Sequence, residues 1–149
     1  MESHVKLDQE DSWVRVTLNR PSKANALTGM MFESIGDVFS DLSAREINGV
    51  TIRGAGGNFS AGVDMSGVPE WAEMDPLDVR DQLETIHGSL RSIEALDAPV
   101  IAALEGHVLG GGIELALACD IRIASRTAEF GLPESEMGLA MDLGGPQKL

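Results

Sequence analysis

Apolar and polar residues first alternate with a period of two. Val5–Gln9 and Trp13–Leu18 alternate around Glu10-Asp11-Ser12, which predicts a β-hairpin. In its second arm Val14, Val16 and Leu18 share one face, and Trp13, Arg15 and Thr17 the other. A polar loop, Asn19–Leu27 (NRPSKANAL), follows. The period then becomes helical. Leu27, Met31, Ile35, Val38 and Leu42 recur at helical spacing, and Thr28 is placed to cap a helix ending near Ser43. Val50–Ile52 reads as a short strand, and the run Gly54–Met65 is too glycine-rich for a regular element. Asp75-Pro76 is a helix start, and Val79, Leu83, Ile86, Leu90 and Ile93 give that helix one buried stripe. Val100–Leu104 reads as a buried strand, Glu105–Leu109 as a loop, and Gly110, Gly111 and Gly112 open an apolar helix near Ile113. Ile121–Ala124 is a further strand, and Ala128–Phe130 a short one. Glu134–Asp142 is irregular, and Gly144–Leu149 opens another helix. Alternating strands and helices place the chain in the α/β class. Ending on an apolar first turn with nothing to pack against, it reads as truncated.

Composition narrows the picture. The 149 residues make one domain, 1–149, with an ordinary 43% hydrophobic and 23% charged content. A net charge of −13 argues against a nucleic-acid surface and against anionic membranes. No run is long enough to span a bilayer, and the N-terminus has no signal-peptide pattern. The single cysteine, Cys119, excludes an internal disulfide. A soluble, cytoplasmic protein is expected.

The candidate chemistry lies in the two glycine stretches. A helix start leaves backbone N–H groups without intrahelical partners, and glycines let a ligand approach them. Such a spot favours an anion, or an oxygen that becomes one during a reaction. Two glycine loops, each leaving a strand, can present paired donors to one oxygen. The stretch GAGGNFSAG is no dinucleotide fingerprint, because Phe59 stands where the third glycine belongs. Neither stretch ends as a P-loop, and Ser60 is not in a G-x-S-x-G elbow. Alone, Glu114 reads as a carboxylate near a helix start, Glu134 as a loop acid, Asp120 as a turn residue and Asp142 as a cap. His4 and His107 are expected to face solvent, and His87 to be partly buried. No His/Cys/Asp cluster has metal-ligand spacing, so no metal is expected.

Taken in order, Asn19-Arg20-Pro21, Asn25-Ala26-Leu27, Phe59 to Met65, Gly106 to Glu114, Cys119-Asp120-Ile121, Phe130 to Glu134, Gly138-Leu139 and Asp142 to Gly145 resemble the enoyl-CoA hydratase/isomerase (crotonase) family. The match runs over essentially the whole chain. It implies a crotonase-like spiral of ββα units that binds an acyl-CoA thioester. It assigns paired donors, an oxyanion hole, to the backbone N–H groups of Val63 and Gly111. Glu114 and Glu134 fall on the two catalytic acids of the hydratases. Arg20 and Lys23 lie where the family holds the nucleotide end of CoA, with Ala24, Ala26, Ala61 and Asp64 giving backbone or shape contacts. No cofactor is implied, since CoA is part of the substrate. A full-length chain, with its further C-terminal helices, would form a homotrimer or hexamer.

Hydration is the first expectation, with Glu114 activating water and Glu134 handling the proton at C2. An enoyl- or dienoyl-CoA isomerase is the alternative, since Asp142 occupies a position that is an acid in dienoyl-CoA isomerases. A dehalogenase-like pairing of His87 with Asp142 ranks lower, because 4% aromatic content is poor for gripping an aryl ring. An inactive CoA-binding fragment is the remaining reading.

Overall fold

The computed structural model describes residues 3–67, 73–138, 140–141 and 143–148. The hairpin forms as β1 (Val5–Glu10) and β2 (Trp13–Leu18), paired antiparallel from Val5↔Leu18 to Glu10↔Trp13. Its turn is tighter than expected, because Asp11 adopts the left-handed φ of 54° that a two-residue connection requires. Helix α1 (Gly29–Leu42) starts where the Thr28 hydroxyl accepts from the Met31 N–H at 3.3 Å. Strand β3 (Gly49–Gly54) is followed by the glycine-rich segment, and α2 (Pro76–Glu94) by β4 (Val100–Leu104). The Asp75 carboxylate caps α2 through the Leu77 N–H at 2.9 Å.

Within Glu105–Leu109, His107–Leu109 is a strand, β5, not loop. Helix α3 (Gly111–Leu117) begins two residues before Ile113, so Gly111 and Gly112 lie in its first turn. Strands β6 (Ile121–Ala124) and β7 (Glu129–Gly131) follow, and then a single 3₁₀ stretch, Pro133–Met137. Residues 146–148 form a turn rather than a helix opening.

The main sheet runs β1-β2-β3-β4-β6, parallel from β2 onward. A second ladder stands beside it. Leu27 bridges Val63, Ser60 bridges Val108 in β5, and β5 pairs with β7, all parallel. Each strand of the main sheet from β2 onward is therefore followed by a short extended piece in the second ladder. After the first three of these pieces a helix follows, α1, α2 or α3. This is the expected α/β spiral of ββα units.

The core fills the space between the main sheet and the helices. Val14, Val16, Leu18, Val50, Ile52, Val100 and Ala102 face Met31, Phe32, Ile35, Phe39 and Leu42 of α1 and Ile86, Leu90 and Ile93 of α2. The α2 stripe is shorter than its spacing suggests. Val79 and Leu83 are half-buried and Leu77 is 67% exposed, so among the described residues the first turns of α2 are incompletely covered. Cys119 is buried, which pushes its thiol up to about 12. It is protonated near neutral pH and packs as a small apolar residue.

Candidate active site

The glycine-rich segment after β3 reaches the second ladder at Val63. In its bridge with Leu27, the Leu27 N–H donates to the Gly62 carbonyl at 2.7 Å and the Asp64 N–H to the Leu27 carbonyl at 2.8 Å. Successive backbone groups of an extended chain point to opposite sides. The Val63 N–H thus points away from Leu27. On that side lies the start of α3. A Cβ added at Gly111 would sit 3.4 Å from Val63 N, and one added at Gly62 would sit 3.5 Å from Gly111 N. Neither N–H donates a hydrogen bond among the described residues. Helix α3 has only seven residues, so this place owes its character to open backbone donors more than to a long dipole.

The approach of the two segments depends on glycine. Gly62 has φ +93°, and a Cβ there would come within 2.9 Å of the Leu109 carbonyl oxygen. Gly110 has φ +47°, and a Cβ there would overlap the Glu134 carboxylate. The Gly110 N–H donates to the Gly131 carbonyl at 3.0 Å, tying the start of α3 to the end of β7.

Both glutamates come to this stretch. Glu114 is 2% exposed in the first turn of α3. Its Oε1 accepts from the N–H groups of Leu143 at 2.9 Å and Gly145 at 3.0 Å. Glu134, in the 3₁₀ stretch after β7, rests against the Gly110 Cα. Its Oε2 is buried with no hydrogen-bond partner among the described residues. An unpartnered buried carboxylate oxygen is costly unless a ligand or water meets it. Asp142, the fifth expected catalytic residue, lies outside the described residues, so its pairing with His87 has no geometry here.

The residues expected to contact CoA lie in the NRPSKANAL loop and in the glycine-rich segment bonded to it. Ala24 (φ 46°) and Asn25 (φ 56°) turn the NRPSKANAL loop through left-handed backbone, and the Ala61 N–H donates to the Ala24 carbonyl at 2.8 Å. Ala26 is half-buried and Lys23 exposed. Arg20 turns inward, and its Nη1 lies 2.5 Å from Asp64 Oδ2. Asp64 is held at about 2, first by the Ser66 hydroxyl and N–H that bond to it and then by Arg20. His107 faces solvent near Glu129, and His87 is half-buried. His4 is half-buried, not exposed, because its carbonyl accepts from the Asn19 N–H at 2.7 Å. The Asp120 carboxylate accepts from the Val100 N–H at 2.8 Å, joining the starts of β4 and β6.

Sequence reasoning assigns Asn25 no role of its own and Ser60 only a rejected one, as a hydrolase nucleophile. Asn25 is fully buried and ties its own loop to the glycine-rich segment after β3. Its Oδ1 accepts from the Arg20 N–H at 2.9 Å, and its Nδ2 donates to the carbonyls of Ala55 at 2.9 Å and Asn58 at 2.7 Å. The Ser60 hydroxyl donates to the Asn25 carbonyl and accepts from the Gly62 N–H. The available signal was Asn in a turn, a residue that tolerates left-handed backbone.

Comparison with known proteins settles what this frame belongs to. Residues 8–149 match the family model described as enoyl-CoA hydratase/isomerase. The chain belongs to the enoyl-CoA hydratase/isomerase family. It is 39% identical over 149 residues to the short-chain-enoyl-CoA hydratase of Clostridium acetobutylicum, covering 99% of this chain and 56% of that one. It is 38% identical over 136 residues to the mitochondrial enoyl-CoA hydratase domain-containing protein 2 of Homo sapiens, covering 90% of this chain and 45% of that one. The crystal structure of an enoyl-CoA hydratase from Bacillus anthracis superposes with a TM-score of 0.87 at 34% identity, covering 98% of this chain and 57% of that one. The chain thus spans about half the length of these relatives. The crotonase-like fold of this family is the one described above. Among the described residues, no helix is long and apolar enough to cross a membrane.

Proposed function

We propose that this chain carries the acyl-CoA-activating part of an enoyl-CoA hydratase, which adds water syn across the double bond of a 2-enoyl-CoA thioester. The observation that carries the reading is the pair of open N–H groups, Val63 and Gly111, on adjoining segments with two glutamates beside them. Two donors on the thioester oxygen stabilise the enolate that forms when C3 is attacked. Water must lose a proton as it attacks, and C2 must gain one as the enolate collapses. Glu114 takes the water proton, its Oε1 oriented by the Leu143 and Gly145 N–H groups. Glu134 delivers the proton to C2, and its unpartnered buried oxygen suits a group whose partner arrives with the substrate. Lys23 meets the phosphates of CoA, and Ala24, Ala26 and Ala61 shape the surface on which its nucleotide end lies. No cofactor takes part.

The test is the ultraviolet absorbance of a short 2-enoyl-CoA incubated with the chain and with Glu134→Gln. The expected outcome is loss of the conjugated thioester band, slowed about 100-fold or more in the variant, as for loss of a positioned proton-transfer group. Mass spectrometry should show one added water. An unchanged band with the unsubstituted chain overturns hydration by these residues. Movement of the double bond in a 3-enoyl substrate, with no water gained, would instead make the chain an isomerase.

A further inference from the structure

Val63 lies between two joints. On one side is Gly62, whose φ of +93° is a backbone conformation that residues with a Cβ rarely adopt. On the other is Asp64, whose side chain is one of the most heavily bonded in this region. Its Oδ2 takes Arg20 Nη1 at 2.5 Å, and its Oδ1 takes the Ser66 N–H at 3.0 Å and the Ser66 hydroxyl at 2.6 Å. Arg20 Nη1 also donates to the Ala26 carbonyl at 3.1 Å, and the Arg20 N–H to Asn25 Oδ1. The two side chains are only 19% and 14% exposed. A guanidinium held this way has two donor contacts directed at its own chain, in place of contacts to a phosphate in solvent.

We propose that Arg20 and Asp64 form a clasp that fixes the direction of the Val63 N–H, making both of them positioning residues rather than contacts to CoA. This rests on the reading of Val63 as a donor to the thioester oxygen. The clasp joins the loop before α1 to the residue after Val63, in parallel with the two backbone bonds at Leu27. Without it, Asp64 loses its side-chain tie to the loop before α1, and the peptide between Gly62 and Asp64 keeps only its two bonds to Leu27, the Gly62 N–H bond to the Ser60 hydroxyl and the packing of the Val63 side chain. An N–H that swings by a fraction of an ångström no longer meets the developing oxyanion, while ground-state binding through the rest of CoA is untouched.

The experiment compares steady-state hydration of a short 2-enoyl-CoA by the chain and by Arg20→Gln, Asp64→Asn, the double variant and Arg20→Lys. Each single substitution should lower kcat about tenfold with KM within about twofold, because only transition-state stabilisation is lost. The double variant should be no worse than the poorer single one, since both remove one device. Arg20→Lys should recover part of kcat. A raised KM at unchanged kcat in Arg20→Gln alone would make Arg20 a phosphate contact and overturn the clasp. Effects that multiply in the double variant would overturn it as well. A second readout does not depend on turnover. In nitrogen-15 amide spectra, the Val63 and Leu27 resonances should move in both single variants and not in Arg80→Gln, which alters an exposed pair elsewhere. If the unsubstituted chain hydrates nothing, the functional reading fails, and these resonances still decide the clasp: unmoved in both variants, they overturn it.

Discussion

Asp64 keeps its charge far into acid because two donors of Ser66 and the Arg20 guanidinium all favour the carboxylate. Its pKa of about 2 lies below the ordinary aspartate value of 3.8. The folded state therefore binds this proton less readily than the unfolded chain. The stability from Asp64 is fully present above about pH 4 and is lost as pH falls toward 2. For a side chain mostly removed from solvent this is worth about 1–2 kcal/mol. Urea unfolding of the chain and of Asp64→Asn should differ by that amount at pH 6 and converge near pH 2. A constant difference across that range would place the effect outside this carboxylate. Glu114 and Glu134 are set by a different rule. Both stand against a glycine: a Cβ at Gly145 would come within 2.9 Å of Glu114 Oε1, and one at Gly110 would overlap the Glu134 carboxylate. The importance of these glycines is therefore one of space rather than flexibility.

Among the elements, α1 and α2 cross where Gly36 meets Ser89. A Cβ at Gly36 would lie 3.3 Å from the Ser89 Cβ, so the helices are as close as two small residues permit. Gly36→Leu should force them apart and cost about 1–3 kcal/mol, the usual range for overpacking a filled interface. Chemical denaturation measures it, and an unchanged midpoint would show that the crossing relaxes freely. The caps of both helices were legible as Thr28 and Asp75-Pro76, because capping is a local hydrogen bond. The pairing of β5 with β7 was not legible. A three-residue strand is too short to display a period, and its partner lies more than twenty residues onward. The early start of α3 was hidden for a related reason: glycine disfavours a helix interior by propensity, and only the packing of Gly111 on Val63 and Gly112 on Ser60 makes it fit.

At the scale of the whole molecule, the last strands are apolar and open. Ile121 is 47% exposed, Ile123 59% and Phe130 57%, and β6 ends the main sheet with one edge unpaired among the described residues. A free edge with exposed isoleucines invites association. Sedimentation at micromolar concentration should show the chain self-associating, and Ile123→Lys should shift it toward smaller species. A chain that sediments as a monomer before and after the substitution would remove the case for association through this face.

Periodicity and punctuation in the sequence determined the hairpin, the two long helices, the strands of the main sheet and the α/β class, since these depend on neighbours a few residues apart. Motif order also pointed to the family and to Val63, Gly111, Glu114 and Glu134. Only the tertiary structure decided that the Val63 and Gly111 N–H groups adjoin and lack partners among the described residues, and that Glu134 leans on Gly110. It alone turned Arg20 inward to Asp64 and made Asn25 the tie between its loop and the glycine-rich segment. Each of these joins residues far apart along the chain. Their geometry follows from how successive turns of the spiral stack, which no local pattern of residues records.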